Sequence, residues 1–109
     1  MLTHVLNGID RTELLDRALR GKRIAIAASG SSVDRNLHHI VDILSDKYHV
    51  TKLFNMIFGL RGDFRYGERV PQYTDLKTGK EVYSIFNRNH VGPSPEMLSD
   101  IDAVVFDIR

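Results

Sequence analysis

The chain has 109 residues, 42% of them hydrophobic and 27% charged, with a formal net charge of +1. That balance belongs to a folded globular domain and excludes a disordered chain. With no cysteine, disulfides, thiolate metal sites and a thiol nucleophile are excluded as well.

Near-neutral charge argues against a nucleic-acid partner. No apolar run approaches the ~18 residues of a membrane span, and residues 1–8 lack the basic-then-apolar pattern of a signal peptide. The length suits one domain over residues 1–109.

The first periodic stretch covers residues 11–19. Leu14, Leu15, Ala18 and Leu19 share one helical face, Asp10 is placed to cap it, and Gly21 follows where a C-terminal glycine belongs. Residues 22–28 are a short unbroken apolar run, which predicts a strand buried on both faces. Ser29-Gly30-Ser31-Ser32 comes next. Beyond it Val33, Leu37, Ile40, Val41 and Leu44 recur at helical spacing, with Asp34 near the expected positive N-terminus. Strand, loop and helix make the first half of a βαβ unit.

Residues 50–55 read as the second strand. Residues 56–72 break the pattern with Gly59, Gly62 and Gly67 among several charges, a long loop of the kind that is usually functional. Residues 75–80 predict a tight turn with Gly79 at positive φ, and residues 81–86 alternate like a strand. Ser94 caps a short helix with Pro95 at its first position and Met97, Leu98 and Ile101 inward. Residues 103–108 form a last, nearly all-apolar strand, expected to be central. The fold class is therefore α/β: a three-layer, Rossmann-like arrangement with a mostly parallel sheet and helices on both faces. Because the chain ends on that strand, it reads as the N-terminal part of a longer protein.

In such sheets ligands bind beyond the carboxyl ends of the strands. That edge gathers Ser29, Ser31, Ser32, Asn55 and Asp107, and these, with Arg61 of the loop, are the expected substrate-binding residues. The serine loop either holds an anion or sugar oxygen at a helix N-terminus or is simply a capped βα turn. His38 and Asp42, four apart, have the spacing of metal ligands but no third partner, and a solvated helix face accounts for them; no metal or cofactor is expected. His39 reads as a surface or packing residue. Asp63 and Glu68 are carboxylates that either serve acid–base chemistry or pair with Arg61, Arg65 and Arg69. Asp107 interrupts an apolar strand at its carboxyl end and either faces a ligand or bonds neighbouring loop amides.

One ordered set of segments runs through the whole chain. It comprises Asn7-Gly8-Ile9-Asp10, Gly21-Lys22-Arg23-Ile24, Val33-Asp34, Leu53-Phe54, Gly59-Leu60-Arg61-Gly62, Gly67-Glu68, Asp75, Thr78-Gly79, Val82-Tyr83-Ser84 and residues 101–108. The set resembles the N-terminal part of the exo-β-N-acetylmuramidase (NamZ-type) family. The resemblance implies a Rossmann-like catalytic domain of a longer bacterial glycoside hydrolase. Such an enzyme removes N-acetylmuramic acid from peptidoglycan fragments in cell-wall turnover and recycling. It implies a muramyl saccharide as ligand and no cofactor.

It also exposes departures. Where the family shows Ser-Pro-Glu-His-Gly, this chain has Asn55-Met56-Ile57-Phe58-Gly59, so Ile57 stands at the catalytic glutamate and Phe58 at the histidine. The family's Thr-Asn-x-Thr-Gly loop is Ala28-Ser29-Gly30-Ser31-Ser32, and its terminal Asp-Gln pair is Asp107-Ile108-Arg109. Isoleucine cannot donate a proton, so no residue is assigned a catalytic role; Asp107 and Glu68 are the remaining candidate carboxylates. The expected function is an inactive or impaired muramidase domain. The alternatives are a non-catalytic sugar- or anion-binding module, or a scaffold. Apolar Met56, Ile57 and Phe58, together with an uncovered strand edge, favour self-association into a homo-oligomer.

Overall fold

The computed structural model describes residues 8–55, 61, 72–84 and 92–107. In chain order it contains a 3-10 turn at Gly8–Asp10, α1 (Thr12–Leu19), β1 (Arg23–Ala28), α2 (Ile40–Lys47), β2 (His49–Asn55), β3 (Tyr73–Thr74), β4 (Glu81–Ser84), α3 (Pro95–Leu98) and β5 (Ala103–Asp107). The strands form one sheet in the order β3-β4-β2-β1-β5. β4, β2, β1 and β5 run parallel, and β3 pairs antiparallel with β4. This is the expected α/β architecture.

β1 sits between β2 and β5, and every residue after Arg23 is buried. That location explains why it is apolar on both faces. On one face Ile24, Ile26 and Ala28 pack with Leu53 and Val82 against Leu19 of α1 and Ile40, Val41 and Leu44 of α2. On the other face Ala25, Ala27 and Phe54 pack with Tyr83, Met97 and Ile101. Phe54 meets Tyr83 edge-on, with ring centroids 6.3 Å apart. Lys52 fastens this side: its Nζ donates to the Met97 carbonyl at 2.9 Å and to Asp100 at 2.6 Å.

The amino end of the sheet is tied by one carboxylate. Asp102 accepts from the Arg23 backbone N–H and from its guanidinium, while the Asp102 N–H donates to the Arg23 carbonyl. The Arg23 guanidinium holds the Asp102 pKa at about 2. This reciprocal clasp sets the β1–β5 register.

Four expectations are corrected. First, the periodicity over residues 33–44 does not make one helix, because α2 begins only at Ile40. Asp34 Oδ1 accepts from the N–H groups of Asn36 and His38, each at 2.9 Å. Leu37 adopts φ 64° and is 79% exposed. A short aspartate that bonds local backbone competes with helix formation, so the 33–39 segment turns back on itself, with Val33 bridged to His39. Second, α1 starts at Thr12; Arg11, not Asp10, holds the capping position, and no side chain caps it. Leu14 and Ala18 face solvent, whereas Leu19 is buried. Third, β5 is the edge strand of the described sheet, not a central one. Val104 and Phe106 are exposed on its open face, Phe106 by 65%. Fourth, Leu98 is exposed, and only Met97 and Ile101 of the expected α3 contacts pack inward.

Other expectations hold. Gly21 and Gly79 have φ of 77° and 74°, where a side chain would be strained. Ser94 accepts from the Met97 N–H with Pro95 opening α3. The strand expected at 81–86 is described as far as Ser84.

Candidate functional site

The carboxyl ends of the four parallel strands are in register. Ala28 lies opposite Asn55 on one side and Asp107 on the other, and Asn55 lies opposite Ser84. Side chains alternate along a strand. Ala28 shares a face with Ile26, Asn55 with Leu53, Ser84 with Val82 and Asp107 with Val105. All of those partners belong to the α2-side core. The result is a row, Asp107–Ala28–Asn55–Ser84, crossing the sheet where the apolar core ends.

The loop after β1 stands over this row. Ser32 is fully buried, and its bonds are structural. Its hydroxyl accepts from the Ser29 N–H at 2.9 Å and donates to the Asp107 carbonyl. Its own carbonyl accepts from the Ile40 N–H at 2.8 Å. Through its hydroxyl and its carbonyl, Ser32 therefore joins the end of β1, β5 and α2. Ser29 and Ser31 bond to each other through their hydroxyls at 2.9 Å, with Ser31 exposed. They are the accessible hydroxyls of the loop.

The serine loop does not open onto a helix N-terminus, contrary to expectation. Ten residues separate Ser29 from His39, the cap of α2. The His39 ring is buried: Nδ1 accepts from the Val41 N–H at 3.1 Å, and Nε2 lies 2.8 Å from the Ser29 carbonyl, which can only accept. The ring links the serine loop to α2, a structural role that sequence spacing could not show. Since Ser32, His39 and its side chain take the first N–H groups of α2, no fan of free amides is left there for an anion.

Arg61 is bonded to two carboxylates that are not part of the row. Its guanidinium bonds Asp42 of α2 through Nη1 and Nη2 at 2.9 and 2.8 Å, and Asp75 through Nε and Nη2 at 2.8 and 3.0 Å. Asp75 also accepts from the Thr78 N–H and hydroxyl, and Lys77 adds a bond to Asp42 at 3.0 Å. Arg61 keeps the pKa of Asp42 at about 2 and that of Asp75 below the usual carboxylate value, and is itself pushed higher. The arrangement brackets Arg61 onto α2 and the turn before β4.

His38 and Asp42 do not share a helix. His38 lies 3.6 Å from Asp34, while Asp42 serves Arg61. Among the described residues no group of three or more potential metal ligands is brought together. Met56, Ile57, Phe58, Asp63, Arg65, Glu68 and Arg69 lie outside the described residues.

One member of the row stands apart. Asn55 is 0% exposed, and among the described residues neither its Nδ2 nor its Oδ1 has a hydrogen-bond partner.

Comparison with known proteins adds sequence and structural relatives. The family model described as exo-β-N-acetylmuramidase NamZ, N-terminal, matches residues 24–109. The peptidoglycan β-N-acetylmuramidase NamZ of Bacillus subtilis (strain 168) is 40% identical over 109 residues, covering 96% of this chain and 26% of that protein. Two crystal structures of DUF1343 family proteins from Bacteroides fragilis NCTC 9343 have the same fold. One has a TM-score of 0.78 at 33% identity, over 94% of this chain and 25% of that one. The other has a TM-score of 0.73 at 26% identity, over 98% and 26%. The chain spans about a quarter of the length of these relatives.

Proposed function

The chain belongs to the family of NamZ-type exo-β-N-acetylmuramidase N-terminal domains, and from that premise we propose that it binds a muramyl saccharide of peptidoglycan at its strand ends without efficient hydrolysis. The observation that carries the reading is the in-register polar row beneath the serine loop. In this reading the Ser29 and Ser31 hydroxyls and the Asp107 carboxylate hydrogen-bond sugar oxygens. Ser32 and His39 fix the loop that presents them, and Arg61 acts as a bracket between α2 and the turn before β4 rather than as a sugar contact.

Glycoside hydrolysis needs a carboxylic acid to protonate the leaving oxygen and a second carboxylate, as nucleophile or base, on the other side of the bond. In this reading Ile57 and Phe58 stand where the family's glutamate and histidine belong, and neither side chain can move a proton. Among the described residues of the row, Asp107 supplies one carboxylate of the two. The role in cell-wall turnover is therefore proposed as recognition of a muramyl fragment, with catalysis impaired.

Two ligands separate this reading from a general anion-binding module. Calorimetry at millimolar ligand is expected to show heat of binding for N-acetylmuramic acid and none for inorganic phosphate, because the α2 amides are already bonded. Binding of phosphate with no response to the sugar would contradict it.

A further inference from the structure

We infer that the cleft along the solvent side of α2 is a second binding site, separate from the strand-end row, and that it takes a free α-amino acid with an aliphatic side chain. The inference does not rest on the saccharide reading. The cleft has a volume of about 540 Å³, within the range of small-molecule sites. Its walls are the 33–39 turn, α2 and the bracket in which Arg61 and Lys77 bond Asp42. None of Ser29, Ser31, Asn55 and Asp107 lines it.

Three features of these walls are not explained by the fold's own bonding. Leu37 adopts φ 64° and is 79% exposed. Leucine is strained in that conformation, which glycine or asparagine adopts more easily, and its exposed side chain adds nothing to the core. With Val33 and Ile43 it gives the cleft an aliphatic wall. Asp46 lines the cleft one helical turn beyond Asp42, and its carboxylate has no hydrogen-bond or ion-pair partner among the described residues. The Lys77 side chain is 67% exposed and bonds Asp42 through one N–H, so two ammonium donors remain. Asp42 and Arg61, in the same wall, are already bonded to each other.

This combination selects the ligand. An anion alone would face Asp46, and a cation alone would face Lys77. A neutral hydrocarbon would pair neither. An aliphatic α-amino acid carries an ammonium, a carboxylate and an apolar group on one carbon. Its ammonium donates to Asp46, its carboxylate accepts from Lys77, and its side chain packs on Val33, Leu37 and Ile43. The spacing suits it: side chains one turn apart are separated by roughly 5–6 Å. One amino acid with a hydrogen bond of about 2.9 Å at each end spans that gap.

The test is an amide NMR titration with leucine, in each enantiomer, against its two halves: isoamylamine, which lacks the carboxylate, and isocaproate, which lacks the amine. Leucine at millimolar concentration is expected to move the signals of Val33, Leu37, His38 and Ile43 and to leave Ser31 and Asp107 in place. Each half is expected to bind roughly tenfold more weakly or worse, the ratio of one charge-assisted hydrogen bond. Asp46→Asn and Lys77→Gln are each expected to weaken leucine by a similar factor. Leu37→Asn tolerates the backbone conformation and is expected to narrow the preference for leucine over glycine, a change that a merely structural role would not produce. All three side chains are exposed, so the variants are expected to keep the dispersed spectrum of the parent. No response to leucine, or an equal response to either half, would overturn the site. So would shifts confined to Ser31 and Asp107, or an affinity that survives both charge substitutions. Binding of N-acetylmuramic acid is read in a separate titration, so either reading can fail without the other.

Discussion

Replacing Arg61 with methionine is expected to destabilise the chain by about 3 kcal/mol, the range found when one partner of a largely buried ion pair is removed. The side chains concerned are poorly exposed: 23% for Arg61, 23% for Asp42 and 6% for Asp75. Arg61→Met leaves two carboxylates facing one another, with Lys77 as the remaining cation on Asp42. The pH dependence carries the same signature. Asp42 is lowered from 3.8 to about 2 in the folded chain. Its contribution is therefore fully present above the unfolded value and is lost as pH falls through about 2. At ~1.4 kcal/mol per unit this amounts to about 2.5 kcal/mol. In Arg61→Met the larger part of that share is absent, with Lys77 keeping the rest, and the buried Asp75 prefers to be protonated. The stability gap between parent and variant is then expected to narrow as pH falls below about 4. Urea unfolding at neutral and acid pH measures both effects. A neutral-pH loss under ~0.5 kcal/mol, as for a surface pair, would show that the bracket is ornamental.

Introducing Ile57→Glu and Phe58→His together is expected to raise hydrolysis of a β-N-acetylmuramide at least ~10²-fold, the lower range for a positioned general acid. The comparison belongs in a chimera that carries the remaining part of the Bacillus subtilis relative, because this chain corresponds to 26% of that protein. The parent chimera, with Ile57 and Phe58, is the reference. A gain confined to the double variant would show that the site lacks only its proton-handling groups. No gain would mean that the rest of the crevice has also departed from the family's mechanism.

Some of the architecture was legible in the residues because its cause is local. β1 reads as a buried strand because turn residues bound an unbroken apolar run, and Ser94-Pro95 and Gly79 each satisfy a local backbone requirement. The 33–44 segment was misread because Leu37 matches a helical period, whereas the Asp34 side chain bonds the backbone and Leu37 adopts a left-handed conformation. The partners that Arg61 does show, Asp42 and Asp75, lie 19 and 14 residues away and meet it in space. Composition cannot show such pairing. The position of Asn55 at a strand end was likewise legible. That it has no partner among the described residues was not, because satisfaction of a hydrogen bond depends on what the fold brings near it. β5 was expected at the centre because it is apolar, yet Val104 and Phe106 are exposed on its open face.

The central claim is that the strand-end row binds a muramyl sugar, and a two-dimensional amide NMR titration with N-acetylmuramic acid tests it most directly. The account predicts a dispersed spectrum in which the backbone signals of Ser29, Ser31 and Asp107 move together. Gly21, Lys22 and His49, at the opposite ends of the strands, should stay fixed. A dispersed spectrum that does not move at millimolar sugar would contradict the account, leaving a folded α/β unit without its family's ligand.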